Sequence, residues 1–309
     1  MIEEELARLS PDKDMLLSIG VFDGVHLGHR YLISQLKELA LKQGLASGVV
    51  TFRHHPQEVL SPPKRLPFLT DIAQRTNLLK SEGVDAITTL SFTPELARLS
   101  ARQFLGLLQK YLRMRGVVIG PDFALGRNRE GDTETLRRLG QEMGFSVTVV
   151  PPLIIDGEVV SSTAIRNAIA QGDMKRVQNL AGRPFRLNGR VVPGAGRGAK
   201  LGFPTANLEI DPEQALPPDG VYISQARLDD QTYSSVTNIG KRPTFGTSER
   251  LVEVYLLDYH SDLQGRDLEV DLLERLRGEK KFDTAEELKK QIAQDVKQGK
   301  ALLKSRGRN

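Results

Sequence analysis

Residues 18–33 read SIGVFDGVHLGHRYLI, and this stretch decides the fold of the first half of the chain. A short apolar run leads through a glycine-containing turn into a helical pattern, which is typical of a strand and its crossover helix in a parallel α/β sheet. Backbone N–H groups at the start of such a helix attract phosphate, because the helix dipole adds to their partial charge. The stretch therefore predicts an anion site after the first strand.

His26 and His29 lie at the start of this predicted helix, three residues apart and so on one side of it. Their ring N–H groups can donate to phosphate oxygens, and phosphate transfer depends mainly on positioning and charge stabilisation. Gly28, between them, is expected to let a ligand approach the backbone closely. The spacing alone also fits an ordinary pair of helix-start histidines or two metal ligands, although no third ligand at a suitable spacing is visible.

The rest of residues 15–150 repeats this alternation of apolar runs and helical patterns. We expect strands at 15–22, 47–52, 86–92, 116–120 and 145–150, with helices at 29–43, 71–82, 100–112 and 133–143 between them. Strands that alternate with helices predict a Rossmann-like parallel sheet with right-handed crossovers. No G-x-G-x-x-G follows the first strand, so the dinucleotide-binding fingerprint is absent.

Residues 153–182 join this half to the next and predict a short hairpin followed by two short helices. Gly182 and Pro184 end the second helix, so we place the domain boundary between residues 184 and 185. The predicted domains are therefore residues 1–184 and 185–309.

The second half changes to a pattern that repeats every two residues. Closely spaced strands without intervening helices predict a small antiparallel β-barrel. A closing helix follows, and Thr284 with Glu287 forms a capping-box pattern at its start. The predicted fold class is thus α/β for the first domain and all-β with a C-terminal helix for the second.

The composition of the 309 residues is that of a globular protein, with 39% hydrophobic and 27% charged residues. The chain has no cysteine, which excludes disulfides, cysteine-zinc sites and thiol catalysis and suits a reducing compartment. No apolar run approaches the roughly 20 residues that span a bilayer, and the acidic N-terminus lacks an apolar signal core, so we expect a cytoplasmic protein without a membrane partner. The net charge of +4 is mild and suits nucleotide phosphates as well as nucleic acid.

Longer motifs surround the two histidines and extend beyond them. They are G-V-F-D-G-V-H-L-G-H at 20–29, T-F-R-H-H-P at 51–56, G-P-D-F-A-L-G at 120–126 with G-D at 131–132, and S-S-T-A-I-R at 161–166. In this order they resemble the FMN adenylyltransferase module of bacterial bifunctional riboflavin kinase/FAD synthetase, which belongs to the nucleotidylyltransferase superfamily. The resemblance implies that His26 and His29 are catalytic. It implies an ATP site at Gly20, Phe22, Asp23, Gly24, Gly28, Ser161, Ser162, Thr163 and Arg166, and a flavin site at His54, His55, Pro56, Asp122 and Phe123.

The chemistry of these residues agrees with the implied roles but leaves alternatives open. Ser162, Thr163 and Arg166 lie at a predicted helix start, where hydroxyls, amides and a guanidinium can converge on an anion. An N-cap followed by a surface arginine has the same pattern. Asp23 and Asp122 lie near strand ends, where α/β proteins bind ligands, but either can equally cap a turn. Which of the two adjacent histidines after the second strand faces the site is also left open.

Residues 193–208, PGAGRGAKLGFPTANL, are the most informative stretch of the second half. Four glycines with Arg197 and Lys200 make a flexible basic loop that can wrap phosphates or can be only a mobile hairpin, and it is not a Walker A loop. Thr205 and Asn207 lie two residues apart and so share a face in an extended chain. Their oxygens are hard ligands that suit magnesium carried by ATP, although a plain turn has the same composition.

Further motifs follow in the order that the riboflavin kinase family shows: G-V-Y at 220–222, N-I-G-K-R-P-T-F-G at 238–246 and E-V-Y-L-L-D at 253–258. This resemblance implies that Glu253 is the general base on the flavin 5′-hydroxyl and that Thr205 and Asn207 bind magnesium. It places the ATP of the kinase at Gly196, Arg197, Lys200, Gly202 and Pro204. Alternation alone puts Glu253 opposite the apolar face of its strand, on a face that can be a site or open solvent.

Together the resemblance covers about residues 15–300 and implies two steps that need ATP and magnesium. The barrel would phosphorylate riboflavin to FMN, and the α/β domain would adenylylate FMN to FAD and release pyrophosphate. The implied partners are these small molecules, without nucleic acid, and the oligomeric state is left open. Ala164, Pro193 and Tyr255 depart from residues that are common in the family. The alternative functions are a single retained activity or a flavin- or RNA-binding regulator without catalysis.

Overall fold

The computed structural model describes residues 2–8, 11–60, 66–194, 196–241 and 250–306. The chain folds into two compact units, Met1–Ser162 and Thr163–Asn309, which we call the α/β unit and the barrel unit. This division into compact units falls earlier in the sequence than the predicted boundary between residues 184 and 185. Because a compact unit need not coincide with a functional domain, that boundary stays a prediction. Part of the motif at 238–246 lies outside the described residues.

The α/β unit is built on a five-stranded parallel sheet with the strand order β3-β2-β1-β4-β5. Its strands are β1 (Met15–Ile19), β2 (Ala46–Phe52), β3 (Ala86–Leu90), β4 (Met114–Ile119) and β5 (Ser146–Val149). The chain builds outward from β1 in one direction and then continues on the other side of β1. Such a reversal opens a crevice at the carboxyl ends of the two central strands, where doubly wound sheets bind ligands. The predicted Rossmann-like sheet is confirmed.

Seven helices in the described part of this unit accompany the strands. They are α1 (Ile2–Ala7), α2 (Leu27–Lys42), α3 (Pro56–Leu60), α4 (Ile72–Ser81), α5 (Pro94–Arg98), α6 (Ala101–Leu112) and α7 (Thr133–Met143). Local sequence sets their starts: Asp71 caps α4 by accepting the N–H of Gln74, and Ser100 with Gln103 forms a capping box at α6. The short helices α1, α3 and α5 escape sequence prediction because so few residues carry too little periodic pattern.

Two hydrophobic cores cover the two faces of this sheet. Leu17 of β1 packs in the core that contains Leu105 of α6, and the neighbouring Leu16 packs in the core that contains Ile33 of α2. Successive residues of a strand point to opposite faces, which is why one short strand supplies both cores. Because both faces are covered, the strand ends and the loops after them are the parts left to contact a ligand.

The barrel unit contains a closed antiparallel barrel with the strand order β10-β11-β12-β9-β8-β13. Its strands are β8 (Phe185–Val192), β9 (Ala206–Glu209), β10 (Gly220–Leu228), β11 (Gln231–Lys241), β12 (Arg250–Leu256) and β13 (Asp267–Gly278). Val252, Val254 and Leu256 are buried on one face of β12, as the alternation predicts. Closure removes the free strand edges that an open sheet would expose. The predicted barrel is confirmed.

The remaining elements lie between β5 and β8 in the sequence, between β8 and β9, and after β13. They are β6 (Ile154–Ile155), β7 (Glu158–Val159), α8 (Ser162–Gln171), α9 (Met174–Ala181), α10 (Arg197–Lys200) and α11 (Ala285–Arg306). Arg277 of β13 pairs with the buried Asp295 of α11 at 2.8 Å and so fixes the closing helix on the barrel. Thr284 accepts the N–H of Glu287, but the Glu287 carboxylate accepts the N–H of Asp283, so half of the predicted capping box forms. No helix in the described ranges is long and apolar enough to cross a membrane.

Candidate active sites

Several of the residues predicted for the first site follow strands at the carboxyl edge of the parallel sheet. Residues 20–26 follow β1, residues 54–56 follow β2, and Asp122 with Phe123 follows β4. Since β1 and β4 are the neighbours at which the strand order reverses, the loops after them flank the crevice of the fold. The topology therefore gathers motifs that lie about a hundred residues apart in the sequence.

The two histidines of the H-x-G-H motif lie face to face. Helix α2 begins at Leu27 with His26 as its N-cap, and the imidazole rings of His26 and His29 stack with their centroids 3.6 Å apart. Atom Nδ1 of His26 accepts the backbone N–H of His29 at 3.2 Å. Because this nitrogen is an acceptor, the neutral ring of His26 carries its proton on Nε2. The ring of the buried His26 is thus held in the tautomer in which Nε2 is the donor.

The loop before α2 has a strained backbone. Phe22, Gly24 and Val25 all have positive φ, at 53°, 82° and 33°. Glycine adopts this conformation freely, but an aromatic or a β-branched residue does so at a cost of about 1–3 kcal/mol. Such strain persists only where the surroundings fix the backbone, and it concentrates at ligand sites. The strain therefore agrees with a functional loop.

Asp23 turns away from solvent and holds this loop. Its buried carboxylate accepts the backbone N–H groups of Leu69 and Thr70 at 3.0 and 3.1 Å and the hydroxyl of Thr70 at 3.3 Å. The same hydroxyl accepts the N–H of Gly24 at 3.0 Å. The geometry favours the alternative in which Asp23 holds a turn over direct contact of its carboxylate with ATP.

Two glycines of this segment, Gly20 and Gly28, lie close to other atoms of the protein, which leaves little space for a side chain. A Cβ at Gly28 would lie 2.8 Å from the backbone oxygen of Val160, and a Cβ at Gly20 would lie 3.1 Å from the ring of Phe22. The close Val160 carbonyl is therefore one reason for glycine at position 28, and the approach of a ligand there stays a prediction. Phe22 is buried, and its ring centroid lies 5.0 Å from that of His29, so Phe22 packs beside the histidine pair.

Of the two histidines after β2, His55 is the more buried. The His54 side chain is 69% exposed and lies 3.6 Å from Glu58, whereas His55 is half-buried. Atom Nδ1 of His55 accepts the N–H of Gln57 at 3.2 Å, beside Pro56, the first residue of α3. The structure thus favours His55 over His54 as the inward-facing residue, and contact of either with flavin stays a prediction.

Asp122 and Phe123 follow β4 but differ in burial. Asp122 is exposed, and its backbone oxygen accepts Nη2 of Arg129 at 3.2 Å. Phe123 is half-buried and packs on the core of the sheet. Asp132, in the same motif, caps α7, and the hydrogen bond from the backbone N–H of Thr135 lowers the pKa of its carboxyl. Asp132 therefore has a structural role, while Asp122 faces solvent beside the crevice.

The S-S-T-A-I-R segment begins helix α8 at Ser162, as predicted. The hydroxyl of Ser162 donates to the backbone oxygen of Asp23 at 2.8 Å and so ties this helix start to the loop after β1. Ser161 is half-buried just before the helix, Thr163 is exposed, and Arg166 is half-buried one turn further on. The contact of these residues with a triphosphate stays a prediction.

In the barrel unit, three polar residues lie side by side on adjacent strands. Glu253 of β12 is paired with Asn207 of β9 on one side and with Asn238 of β11 on the other. Residues directly opposite in a ladder share a face, so these three side chains point the same way. Atom Nδ2 of Asn238 lies 3.4 Å from Oε2 of Glu253, and all three residues are half-buried. We call Asn207, Glu253 and Asn238 the polar row, and its burial favours a site over open solvent.

The glycine loop before β9 lies against the polar row. A Cβ at Gly194 would collide with the side-chain amide of Asn207. The ring of Phe203 meets the ring of Tyr255 edge-on, with centroids 5.6 Å apart, on the face of β12 that also carries the predicted base. The loop therefore covers the part of the barrel wall where the polar row lies.

This loop is less irregular than its glycines suggest. Gly196 and Gly202 have φ of 65° and 87°, and the single helical turn α10 lies between them. The glycine composition did not predict this helical turn. The side chains of Arg197 and Lys200 lie outside the described part of the structure, so their contact with ATP stays a prediction. Pro204 is exposed just before β9.

The oxygen donors beside the polar row suit a hard cation. Thr205 and Asn207 lie two residues apart at the start of β9, both half-buried, and Glu253 is the ladder partner of Asn207. Hydroxyl, amide and carboxylate oxygens fit magnesium that keeps waters and triphosphate oxygens as its other ligands. Among the residues that the structure describes, no group of three or more histidine, aspartate or glutamate side chains is placed to hold a metal ion by itself.

A cavity of about 730 Å³ also opens on the barrel unit, and none of the predicted site residues lines it. Its arginines are engaged by protein acceptors: Arg227 lies 3.3 Å from Asp271, and Arg190 donates to the backbone oxygen of Gly265 at 3.0 Å. Since these charges are already satisfied, we place neither substrate there.

Three residues without a predicted role contact predicted site residues: Thr70 and Arg75, which lie outside the quoted motifs, and Asn238, the first residue of the motif at 238–246. Arg75 is 4% exposed on α4. The sequence did hold a signal for it, because Arg75 lies one turn before the buried Leu79 and so occupies a position of the apolar stripe. The pairing of Asn238 with Glu253 becomes visible only when the register of β11 against β12 is known.

Models of protein families match both halves of the chain. Residues 9–164 match the family described as FAD synthetase, and residues 181–303 match the family described as riboflavin kinase. With the doubly wound sheet and the closed barrel, these matches define a two-domain transferase that carries a nucleotidyl-transfer module and a kinase module.

Relatives match over nearly the whole length. A bifunctional riboflavin kinase/FMN adenylyltransferase of Escherichia coli (strain K12) is 38% identical over 288 residues, 93% of this chain and 92% of the relative. One of the same description from Pseudomonas fluorescens is 38% identical over 300 residues, 96% of each chain. The chain belongs to the bifunctional riboflavin kinase/FMN adenylyltransferase family.

A solved structure has the same overall fold. It is described as a macrolide-efflux protein from Streptococcus pneumoniae, is 32% identical, and superposes with a TM-score of 0.85 over 93% of this chain and 94% of its own. The described helices of the present chain include none that could span a membrane. The likeness to the solved structure supports the fold.

Proposed function

We propose that the barrel unit transfers the γ-phosphate of ATP to the 5′-hydroxyl of riboflavin, and that the α/β unit then transfers the adenylyl group of a second ATP to FMN. The products are FMN with ADP in the first step and FAD with pyrophosphate in the second. The observations that carry the proposal are the strand-end motifs beside the crevice after β1 and β4 in the α/β unit and the polar row in the barrel unit. Both steps consume ATP, so we also propose that the enzyme acts in the cytoplasm.

In the barrel unit, Glu253 acts as the general base. Its carboxylate accepts the proton of the riboflavin hydroxyl while that oxygen attacks the γ-phosphorus and the bond to ADP breaks. Asn238 donates to one carboxylate oxygen at 3.4 Å and leaves the other to accept the proton. Thr205 and Asn207 hold magnesium, which supplies charge neutralisation on the triphosphate.

In the α/β unit, an oxygen of the FMN phosphate attacks the α-phosphorus of ATP and pyrophosphate leaves, without a covalent bond to the enzyme. Atom Nε2 of His26 donates to the oxygens that gain charge, and His29, the more exposed of the stacked pair, donates beside it. The hydroxyl of Ser162 donates to the backbone oxygen of Asp23 and so holds the loop after β1.

The flavin of FMN needs a flat, largely apolar surface beside this phosphate chemistry. The half-buried Phe123 after β4 and the half-buried His55 with Pro56 after β2 offer such a surface at the same edge of the sheet. Asp122 is exposed beside Phe123 and can accept hydrogen bonds from a flavin or ribose hydroxyl.

Incubation with riboflavin, ATP and magnesium, followed by chromatography of the products, tests the proposal. We expect FMN first and FAD later, FAD alone when FMN replaces riboflavin, and neither product without magnesium. Formation of only one product would show that a single activity is retained. Flavin or RNA binding with a steep salt dependence and no ATP turnover would show a regulator instead.

A further inference from the structure

A buried arginine joins the chain segments at the edge of the adenylylation site. Atom Nη1 of Arg75 donates to the backbone oxygens of Val21 and Phe52 at 3.1 and 2.9 Å, and Nη2 donates to that of Thr70 at 3.2 Å. Val21 follows β1 and Phe52 ends β2. One guanidinium therefore connects the ends of two neighbouring strands to the segment before α4.

Asp23 continues this arrangement into the loop after β1. Its carboxylate lies 4.0 Å from the guanidinium of Arg75 and accepts the N–H groups of Leu69 and Thr70. The hydroxyl of Thr70 donates to Asp23 and accepts the N–H of Gly24. Asp23, Thr70 and Arg75 are each at most 4% exposed, and charged hydrogen bonds are strong in such a setting.

Burial of the Arg75 charge requires its desolvation, which indicates that the hydrogen bonds of the guanidinium have a role beyond packing. A charged residue on the apolar stripe of a helix must be desolvated, and a well-packed hydrophobic residue there often stabilises a fold equally well or better. What the arginine supplies and a leucine cannot is three donors to three backbone oxygens at the ligand edge of the sheet. The loop beside it needs such support, because Phe22 and Val25 have left-handed backbones.

We propose that Asp23, Thr70 and Arg75 form a clamp that fixes the backbone of residues 20–26 and so places His26 and His29 for nucleotidyl transfer. The inference rests on the proposed function of the α/β unit. The three are positioning residues, because they are buried and act on the substrate only through the loop that they hold.

Two substitutions test the clamp, and each has a matched control. Arg75→Met removes the three donors, and Arg137→Met makes the same change at an exposed arginine of α7. Thr70→Val removes the bridging hydroxyl, and Thr70→Ser keeps it. The rate of FAD formation from supplied FMN reports on the α/β unit, and the rate of riboflavin phosphorylation shows that the barrel unit is intact.

We expect Arg75→Met to lower kcat for FAD formation about 100-fold, because a misplacement of about 1 Å has an effect of that size. Thr70→Val should lower it about tenfold, since it removes fewer bonds of the clamp. The KM for ATP should change little in both, because lost positioning acts on the transition state. Thr70→Ser and Arg137→Met should keep the wild-type rate, and riboflavin phosphorylation should be unchanged in all four.

Amide hydrogen exchange of the unliganded protein supplies a readout that does not depend on activity. Residues 20–29 should exchange faster in Arg75→Met and Thr70→Val, while the central strands keep their protection. Unchanged exchange with wild-type kcat in folded Arg75→Met would overturn the clamp, as would a parallel loss of both activities.

If Arg75→Met does not fold, Thr70→Val decides in the same way. Wild-type exchange and wild-type kcat in that variant would reject the clamp. A wild-type protein that forms no FAD, but whose loop still loosens in the variants, would instead reject the proposed function and leave the clamp standing.

Discussion

The two units build their candidate sites in opposite ways. In the α/β unit the site residues lie in loops after different strands, and the hydrogen bond from Ser162 to Asp23 joins positions 139 residues apart. In the barrel unit the polar row lies inside three adjacent strands, whose ladder sets its spacing. A site made of loops needs separate buried groups to hold it, whereas a site within a barrel wall is held by the backbone hydrogen bonds of the wall.

This difference predicts how each site responds to substitution. Changes to the α/β site should act through residues that contact no substrate, because the loop geometry depends on Asp23 and its partners. Changes to the barrel site should act mainly at the residue replaced, since the register of β11, β12 and β9 persists. The two activities of one chain allow each unit to serve as the control for the other.

The largest effect should come from Glu253→Gln. The amide keeps the shape of the side chain but accepts no proton, so riboflavin phosphorylation should fall by about 10²–10⁴-fold. FAD formation from supplied FMN should be unchanged, because that step belongs to the other unit. Separate assays of the two steps check this, and a wild-type phosphorylation rate would remove Glu253 from the role of base.

His29→Ala should have the next largest effect, confined to the other step. Loss of one donor to the charge that develops on the phosphates should lower FAD formation about 10²–10³-fold. Riboflavin phosphorylation, measured in the same preparation, should stay at the wild-type rate. If FAD formation were intact, the stacked pair His26 and His29 would be only the cap of α2.

Gly28→Ala and Gly194→Ala should change the free energy of unfolding by different amounts in the two kinds of site. The new Cβ at position 28 would meet the backbone oxygen of Val160, which cannot move aside, so we expect a loss of about 1–3 kcal/mol in the free energy of unfolding. At position 194 it would meet the side chain of Asn207, which can rotate. There we expect nearly unchanged stability but a higher magnesium requirement of the kinase.

Denaturant unfolding and magnesium titration of the kinase check this pair. A larger loss of stability in Gly194→Ala than in Gly28→Ala would contradict the assignment of a rigid neighbour to one glycine and a mobile neighbour to the other.

The smallest effect concerns Tyr222, whose hydroxyl donates to the backbone oxygen of Pro218 inside the barrel unit. Burial raises the pKa of Tyr222 to about 12, whereas the unfolded chain ionises near the ordinary value of about 10. Between these values the unfolded state loses its proton first, so stability falls as the pH rises from about 10 to about 12.

Tyr222→Phe removes this ionisation and the hydrogen bond. The variant should be about 0.5–1.5 kcal/mol less stable at pH 7, with a flatter decline above pH 10. Urea unfolding at pH 7 and at several alkaline values measures both effects. An equally steep alkaline decline in the variant would show that another group in the protein dominates this range.

Regular elements of this chain are predictable because their pattern is local. Helix α7 has the predicted bounds, since its apolar periodicity and the glycine stop after it coincide. The H-x-G-H and P-T-A-N motifs likewise point to the crevice after β1 and β4 and to the polar row, the two places where we propose the sites.

What the sequence could not supply depends on residues far apart. The direction of the Asp23 carboxylate depends on hydrogen bonds from Leu69 and Thr70. The role of Arg75 depends on the backbone oxygens at the strand ends to which it donates. The polar row needs the register of strands whose order in the barrel differs from their order in the chain. Propensity and spacing contain none of this, because each is a property of neighbouring residues.

The hydrogen bond from Ser162 to Asp23 has a consequence for protein synthesis. Ribosomes make the N-terminal end first, so β1 to β5 emerge before Ser162 does, and Ser162 is the last residue of the compact unit. The loop after β1 therefore lacks the hydrogen bond from Ser162 while the rest of the sheet is translated. The hydrogen bond from Ser162 to Asp23 can form only after residue 162 has been synthesised. A chain that ends before residue 162 therefore lacks this hydrogen bond in the loop after β1.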